Sequence, residues 1–222
     1  MAYRAAVFDL DGTLLNTIAD LADSGNELLA SYGMTLHSEQ AYRYFVGNGS
    51  RKLMERILPG KSSEEIDEAL ARYKTIYEKR LTAKTEPYEG IAEMLSALKA
   101  RGVRMAVCTN KHISAAKALI RQYFPAEIFD AFDGDRPGVP RKPDPAHVRI
   151  VLEKMGVSSE ETVYLGDSGV DMQTAVNAGA LPVGVLWGFR EKDELVENGA
   201  KVLLSQPSEL IEKVDFLNNK KG

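Results

Sequence analysis

Two aspartates follow an apolar run near the beginning of the sequence. Asp9 and Asp11 come after Val7 and Phe8, and Gly12 follows them. Alternate side chains of an extended segment lie on one face, so both carboxylates project to the same side of a strand end. Gly12 allows a tight turn close to a ligand. Because neighbouring carboxylates repel each other and a divalent cation relieves that repulsion, the pair indicates an active site, with an ordinary Asp-Gly turn as the alternative.

A second polar cluster follows a later predicted strand. Thr109, Asn110 and Lys111 offer a hydroxyl, an amide and an ammonium group in three consecutive residues. All three groups can donate hydrogen bonds to a phosphate oxygen. A loop further along the chain carries another cation, Lys142, directly before Pro143, whose ring stiffens the backbone. These residues are therefore candidates for binding a phosphate group.

A third cluster adds two more acids. Asp167 and Ser168 follow another predicted strand, and Asp171 shares a face with Asp167 if a helix begins there. Taken singly, the clusters are compatible with helix caps and solvated charges. Together they combine acids that suit Mg²⁺ with a hydroxyl and a lysine that can hold a transferring phosphoryl group. The combination predicts phosphoryl transfer through an aspartate nucleophile.

The elements that must position these clusters fall into two groups. After a buried strand at residues 3–8, apolar residues recur at helical spacing in four segments, the first with Thr17 as its N-cap and the fourth with a Ser62–Glu65 capping box. Beyond Pro87, strands and helices alternate, which is typical of a parallel sheet covered by helices. The first four helices are predicted at 17–32, 38–46, 51–58 and 62–81, the later strands at 103–109, 128–132, 162–165 and 181–186, the later helices at 91–102, 114–123, 144–156 and 170–178, and a final strand and helix around Val202 and Leu210.

The predicted fold class is α/β, with a Rossmann-like parallel sheet, helices on both faces and an inserted all-helical cap. A lone first strand has no partner in a helical block, so it must join the later strands. We expect residues 1–15 and 83–222 to form a discontinuous catalytic core and residues 16–82 to form the cap. The acids then lie at the carboxyl ends of the strands, where open parallel sheets bind ligands. Residues 218–222 are expected to fray.

Composition limits the class of protein. Of the 222 residues, 44% are hydrophobic, and the net charge of -4 gives no electrostatic footprint for nucleic acid or an anionic membrane. No apolar run approaches the ~20 residues of a membrane helix. The single cysteine, Cys108, is expected to be a small buried hydrophobe and suits a reducing compartment, so we expect a cytoplasmic protein. The histidines are expected to be surface or capping residues: His37, His112 and His147.

Four motifs in this order, with a helical block after the first, resemble the haloacid dehalogenase superfamily of phosphohydrolases over essentially the whole chain. They are Asp9-Leu10-Asp11-Gly12-Thr13-Leu14, Thr109-Asn110, Lys142-Pro143 and Gly166-Asp167-Ser168-x-x-Asp171. The resemblance implies a magnesium-dependent phosphatase with an aspartyl-phosphate intermediate. It implies that Asp9 is the nucleophile and Asp11 the general acid/base. An acid at position 11 also argues against the dehalogenase branch, which transfers no phosphate.

The resemblance implies roles for the remaining motif residues. Mg²⁺ would be held by the carboxylates of Asp9 and Asp167 and by the backbone carbonyl of Asp11. Lys142 would act in catalysis by bridging Asp9 and the phosphate. The phosphoryl group would be bound by Thr109, Asn110 and Lys142, and the supporting residues around the site would be Asp171 and Ser168.

Within the superfamily the sequence looks closest to the phosphoglycolate phosphatases. That similarity implies a mobile cap with Gly49 near the substrate and either Arg51 or Lys52 paired with a substrate carboxylate. The best single substrate is 2-phosphoglycolate, which would yield glycolate and phosphate. Asn16 departs from the acid that many relatives carry there, which weakens what the resemblance implies about the cap hinge. The motifs that carry the similarity are Val46-Gly47-Asn48-Gly49, Arg51-Lys52-Leu53, Thr109-Asn110-Lys111 and Leu186-Trp187-Gly188-Phe189-Arg190.

Three other functions stay open. A phosphosugar mutase of this superfamily would share the nucleophile but return the phosphoryl group to its substrate, and a pyrophosphatase or nucleotidase would share everything outside the cap. A non-catalytic phospho-sensor also groups an aspartate, acids, a hydroxyl and a lysine around magnesium. The long helical insertion favours an enzyme, because a lid that excludes water explains it. The expected partner is a small phosphate ester, and the protein is expected to be a monomer or homodimer.

Overall fold

The computed structural model describes residues 2–216, and its centre is a six-stranded parallel sheet. The strands of this range are β1 Ala5–Phe8, β2 Leu15–Asn16, β3 Glu86–Pro87, β4 Arg104–His112, β5 Ala131–Asp135, β6 Thr162–Gly166, β7 Leu181–Val185 and β8 Val202–Leu204. The order in the large sheet is β5-β4-β1-β6-β7-β8. β1 pairs in parallel with β4 and β6, so the first strand joins the later strands, as predicted, and it lies in the interior of the sheet. The predicted frayed tail at 218–222 lies outside the described residues.

Helices cover both faces of this sheet, which confirms the α/β class. Alternate residues of β1 belong to different clusters, because successive strand side chains point to opposite faces. The helices of this part are α5 Ile91–Ala100, α6 Ile113–Tyr123, α7 Ala146–Met155, α8 Gly169–Ala178, α9 Lys192–Glu197 and α10 Glu209–Lys213. Ala6 and Phe8 pack with residues of α5, α6 and α10, whereas Ala5 and Val7 pack with residues of α7 and α8.

Four helices between β2 and β3 form a helical block with a separate apolar cluster. The block spans Ile18–Arg80, and the capping box predicted for Ser62 and Glu65 is present at the start of its last helix. β2 and β3 pair antiparallel where the chain enters and leaves the block. None of the helices within residues 2–216 has both the length and the apolar composition needed to cross a membrane. The helices of the block are α1 Ile18–Ser31, α2 Glu39–Phe45, α3 Ser50–Ile57 and α4 Ser63–Arg80.

The structure corrects several predicted elements. β5 covers Ala131–Asp135 rather than 128–132, because Asp133 and Gly134 pair with β4 while long-range hydrogen bonds satisfy the Asp133 carboxylate. β4 continues to His112 rather than ending at 109. β2, β3 and α9 were not predicted, since two-residue strands and a six-residue helix with a single buried residue, Leu195, leave no periodic signal.

Two side-chain predictions were wrong. His147 is fully buried, and its Nδ1 lies 2.9 Å from Asp133 Oδ2, so it is neither a surface nor a capping residue. Thr17 occupies the N-cap position of α1, as predicted, but its side chain does not cap the helix and its hydroxyl donates to Asp11 Oδ1 at 2.8 Å. The capping expectation holds for His112, whose ring accepts a hydrogen bond from the N–H of the second residue of α6.

Candidate active site

Asp9 follows β1 and reaches the floor of a cavity at the carboxyl edge of the sheet. Its backbone N–H donates to Leu165 O at 2.9 Å, which fixes the turn onto the neighbouring strand. Its side chain is 10% exposed, and Oδ1 lies 3.0 Å from Lys142 Nζ. Among residues 2–216 no donor makes a well-directed hydrogen bond to this oxygen. Burial raises the pKa of Asp9 to about 7, Asp171 adds to the rise, and Lys142 opposes it.

Lys142 is a buried cation between two carboxylates. Its Nζ lies 3.0 Å from Asp9 Oδ1, 2.6 Å from Asp171 Oδ1 and 3.2 Å from the Tyr164 hydroxyl. Burial alone would lower the pKa of Lys142, but Asp171 and Asp9 raise it, so the ammonium stays charged. Asn110 fixes the Lys142 backbone, since its Oδ1 accepts from the N–H at 2.9 Å and its Nδ2 donates to the carbonyl at 3.2 Å. The structure thus brings the predicted lysine to the predicted nucleophile.

Asp167 follows β6 and is enclosed by two glycine-containing turns. Its Oδ1 accepts from the Thr13 hydroxyl at 3.2 Å, and its Oδ2 accepts from the Phe189 N–H at 2.8 Å. A Cβ on Gly12 would lie 2.2 Å from Asp167 Oδ2, and a Cβ on Gly188 would lie 2.2 Å from Asp167 Cβ. The close packing around this carboxylate therefore requires glycine at both positions.

The acid cluster fits a hard divalent cation. Asp9, Asp167 and Asp171 each present a carboxylate oxygen within 4.8 Å of the others. Burial, Asp171 and Asp9 raise the pKa of Asp167 well above its ordinary value, because these buried carboxylates repel one another. Asp171 already accepts hydrogen bonds at 2.6 Å from Lys142 and from the Ser168 hydroxyl, whereas Asp9 Oδ1 has its ion pair with Lys142 but no hydrogen-bond partner within the described range. A cation held by Asp9 and Asp167 would satisfy that oxygen and relieve the repulsion.

Asp11 is paired with a lysine that the sequence assigned to a phosphate site. Lys111 Nζ donates to Asp11 Oδ1 at 2.8 Å and to Oδ2 at 3.0 Å, and the Thr17 hydroxyl donates to Oδ1. Lys111 Nζ also lies 4.7 Å from the centroid of the Tyr77 ring. No local pattern indicates the Lys111–Asp11 pair, because its members are 100 residues apart.

The predicted phosphate-binding residues lie around the same cavity. Thr109 and Ser168 line it, and the Thr109 hydroxyl accepts from the Lys111 N–H at 3.2 Å. Ser168 also caps α8. Asn110 lines the cavity as well, but its Nδ2 donates to Gly47 O at 3.0 Å in addition to its bonds with the Lys142 loop. The side-chain amide of Asn110 therefore serves protein contacts in this arrangement.

Only one of the three predicted specificity residues reaches the cavity. Gly49 lines it at the start of α3, with a φ of +86°. Arg51 bonds to Asp67 within the helical block, and Lys52 Nζ lies 2.7 Å from Glu55. Arg51 and Lys52 do not belong to the cavity wall, since successive residues of a helix face different directions and only one face of α3 meets the sheet edge.

The cavity lies between the carboxyl edge of the sheet and the helical block. Its volume is about 970 Å³ including its open mouth. Charged and polar residues form the floor, among them Asp9, Asp11 and Lys111. Apolar and aromatic side chains also line the cavity. The sequence predicted Leu21, Tyr73 and Tyr77 only as members of apolar helix faces, whereas Val46, Leu53 and Phe189 belong to the motifs that carry the similarity to phosphoglycolate phosphatases.

Comparison with known proteins places this geometry in a family. A model of the haloacid dehalogenase-like hydrolases matches residues 6–185. A curated protein of Rhodospirillum rubrum, named phosphoglycolate phosphatase, is 36% identical over 84% of this chain and 80% of its own length. A phosphoglycolate phosphatase of Nitrosospira multiformis is 34% identical over 95% and 96% of the two chains.

Solved structures with a similar fold support the same family assignment as the sequence relatives. A crystal structure from Lactobacillus delbrueckii subsp. bulgaricus has a TM-score of 0.91 at 31% identity and covers 96% of this chain and 99% of its own. The structure of CbbY from Rhodobacter sphaeroides in complex with phosphate has a TM-score of 0.80 at 25% identity and covers 94% and 96% of the two chains. The chain belongs to the haloacid dehalogenase-like hydrolase family, as its motifs indicated.

Proposed function

We propose that this hydrolase is a magnesium-dependent phosphatase of small phosphorylated metabolites, and that Asp9 is its nucleophile. The observation that carries the proposal is the Asp9 carboxylate, which lines the cavity and whose buried Oδ1 lies 3.0 Å from Lys142 Nζ without a hydrogen-bond partner among the described residues. A carboxylate held in this way can attack phosphorus, because Lys142 balances its charge and no other donor among the described residues forms a hydrogen bond to that oxygen.

In the first half-reaction an Asp9 oxygen attacks phosphorus and the bond from phosphorus to the ester oxygen breaks. Asp11, in its protonated form, donates a proton to the departing alkoxide. Lys142 and the Thr109 hydroxyl hold the oxygens of the transferring group, whose charge they stabilise. The product of this step is an aspartyl-phosphate on Asp9 and a free alcohol.

In the second half-reaction the Asp11 carboxylate takes a proton from a water molecule. The resulting hydroxide attacks phosphorus, the bond to Asp9 breaks, and inorganic phosphate and the free carboxylate are released. The Lys111 ammonium and the Thr17 hydroxyl orient Asp11 for both proton transfers.

The metal and the cap complete the proposal. Mg²⁺ would be held by the carboxylates of Asp9 and Asp167 and the backbone carbonyl of Asp11, and when bound it supplies positive charge that offsets the repulsion between Asp9 and a phosphate dianion. We propose that residues 16–82 form a cap and that residues 1–15 and 83–222 form the catalytic core. The separate apolar cluster of the helical block and its place above the cavity support that division.

We propose 2-phosphoglycolate as the substrate. The curated relatives named phosphoglycolate phosphatase match most of this chain, and the CbbY structure binds phosphate on a similar fold. A mutase would convert a sugar phosphate to its isomer, a pyrophosphatase or nucleotidase would prefer an anhydride or a nucleotide, and a phospho-sensor would keep its phosphoryl group. Analysis of the products from a panel of phosphate esters separates these functions from hydrolysis of phosphoglycolate.

The direct test combines three variants with a metal titration. Asp9→Asn should abolish release of phosphate from 2-phosphoglycolate while the circular dichroism spectrum stays that of the wild type. Asp11→Asn should slow both half-reactions, whereas Asp167→Ala should raise the Mg²⁺ concentration needed for half-maximal activity. Removal of Mg²⁺ with EDTA should stop turnover, and its return should restore it. Full activity of Asp9→Asn would end the assignment of the nucleophile.

A further inference from the structure

Two tyrosines of the helical block line the cavity and have buried hydroxyl groups without a hydrogen-bond partner among residues 2–216. Among residues 2–216, the buried side-chain polar atoms without a hydrogen-bond partner are Asp9 Oδ1, Tyr73 OH, Tyr77 OH and His147 Nε2. Three of these four atoms belong to residues that line the catalytic cavity. A buried polar group without a partner is costly in a folded protein, so such groups mark places where a ligand completes the hydrogen bonds.

The two rings form a rigid pair. Tyr73 and Tyr77 lie one turn apart on α4, their centroids are 5.9 Å apart, and the planes differ by 4°. Both side chains are almost completely buried, with 1% and 7% exposure. Their hydroxyls are therefore held in place by packing, and little conformational freedom is lost when a ligand accepts from them.

The surroundings favour an anionic ligand group. Burial and nearby carboxylates raise the pKa of both tyrosines well above its ordinary value, so the hydroxyls stay protonated and available as donors. Lys111 Nζ lies 4.7 Å from the centroid of the Tyr77 ring, so the ammonium that pairs with Asp11 also lies beside the two tyrosines. Two neutral donors beside a cation are suited to a carboxylate, whose oxygens accept but never donate at neutral pH.

We propose that the hydroxyls of Tyr73 and Tyr77 form the subsite that binds the carboxylate of the substrate, with Lys111 providing the neighbouring positive charge. The inference rests on the proposed function, since it takes a phosphorylated hydroxy acid as the substrate. It also explains why Arg51 and Lys52, which bond to acids of the helical block outside the cavity wall, are not needed for this contact. The reacting phosphate then lies at the sheet edge and the carboxylate under α4.

The experiment compares two alkyl phosphates that differ in the carboxylate. We would measure kcat/KM for 2-phosphoglycolate and for ethyl phosphate in the wild type, Tyr73→Phe, Tyr77→Phe and Tyr42→Phe. Tyr42 is the matched control, because it is a buried tyrosine of the same helical block whose hydroxyl donates to Asn26 Oδ1 at 3.2 Å. Loss of a hydrogen bond to a charged group should lower the kcat/KM for 2-phosphoglycolate relative to that for ethyl phosphate. The ratio of the first value to the second should fall about ten- to a hundredfold in Tyr73→Phe and Tyr77→Phe. In Tyr42→Phe the ratio should be that of the wild type.

Thermal unfolding provides a second readout. Removing an unsatisfied buried hydroxyl should leave the Tm of Tyr73→Phe and Tyr77→Phe equal to or above that of the wild type, whereas Tyr42→Phe loses a hydrogen bond and should unfold at a lower temperature. An unchanged ratio in both cavity variants, or an equal loss for both substrates, would overturn the carboxylate subsite while phosphoglycolate hydrolysis stands. A wild-type protein that hydrolyses neither ester would contradict the proposed function itself.

Discussion

Replacing Lys142 with methionine should destabilise the protein as well as inactivate it. The side chain is 1% exposed and lies 3.0 Å from Asp9 Oδ1 and 2.6 Å from Asp171 Oδ1. Methionine has a similar length and packs well, but it leaves both buried carboxylates without a cation. The free energy of unfolding should fall because those charges then face burial and mutual repulsion together.

The magnitude follows from the cost of breaking a buried ion pair by removing one partner, which is about 3–5 kcal/mol. In a chain of 222 residues, each kcal/mol corresponds to about 2–4 °C in Tm, so Lys142→Met should unfold about 6–20 °C below the wild type. Adding Asp171→Asn to Lys142→Met removes one of the two carboxylates that the lysine no longer neutralises. The double variant should therefore recover part of the stability that Lys142→Met alone loses, and a double-mutant cycle measures this coupling.

The assay is urea unfolding in the presence of EDTA, followed by circular dichroism and by the fluorescence of Trp187. This residue is the only tryptophan, and its Nε1 donates to Thr13 O at 3.0 Å beside the catalytic loop. Lys52→Met is the matched control, since Lys52 is 54% exposed and its pairing with Glu55 should contribute little. If Lys142→Met were as stable as Lys52→Met, or if Asp171→Asn made the loss larger, the charge argument would be wrong.

Three further outcomes are expected. Gly188→Ala should lose about 1–3 kcal/mol of stability and require more Mg²⁺, because its Cβ would lie 2.2 Å from Asp167 Cβ; thermal unfolding and a metal titration check this. Cys108 should not react with a thiol reagent in the folded protein, since burial raises the pKa of the thiol to about 12, and one thiol should appear on unfolding in urea. Burial alone would raise the pKa of Asp133, but hydrogen bonds from His147 and Arg136 lower it overall. The stability that this carboxyl contributes is present above the usual pKa of 3.8 and is lost as the pH falls through the lowered pKa, so His147→Gln should lose less stability than the wild type as the pH falls below 3.8.

The parts of the site that the sequence predicted are those encoded by a strand end and a short motif. Asp9 and Asp167 each follow a parallel strand, and parallel strands bring their carboxyl ends to one edge of the sheet. Lys142 lies in the loop between β5 and α7, and its Lys-Pro motif indicated it. Gly12 was predicted because a tight turn near a ligand needs it, and its φ of +86° agrees. Periodicity likewise located the helical block, whose apolar faces are long enough to give a clear signal.

The sequence could not predict side-chain contacts between residues that are far apart in the chain, because only the folded structure brings those residues together. Lys111 stands beside two phosphate-binding candidates in the chain but pairs with Asp11 across 100 residues. Tyr73 and Tyr77 lie on the buried face of α4 and line the cavity. Helical spacing did not identify them as cavity residues, because residues of a core and residues of a cavity wall have the same spacing on a helix. His147 carries no local sign of burial, because its partner Asp133 comes from another element.

Detection of the covalent intermediate tests the central claim most directly. In Asp11→Asn with p-nitrophenyl phosphate, the leaving group departs without an acid, whereas attack of water still needs the missing base. The aspartyl-phosphate should therefore accumulate. After acid quenching and reduction with borohydride, mass spectrometry of the peptides should find homoserine at position 9 and unchanged aspartate at positions 167 and 171. Release of nitrophenol in a burst with aspartate intact at position 9, or homoserine at another position, would contradict the account.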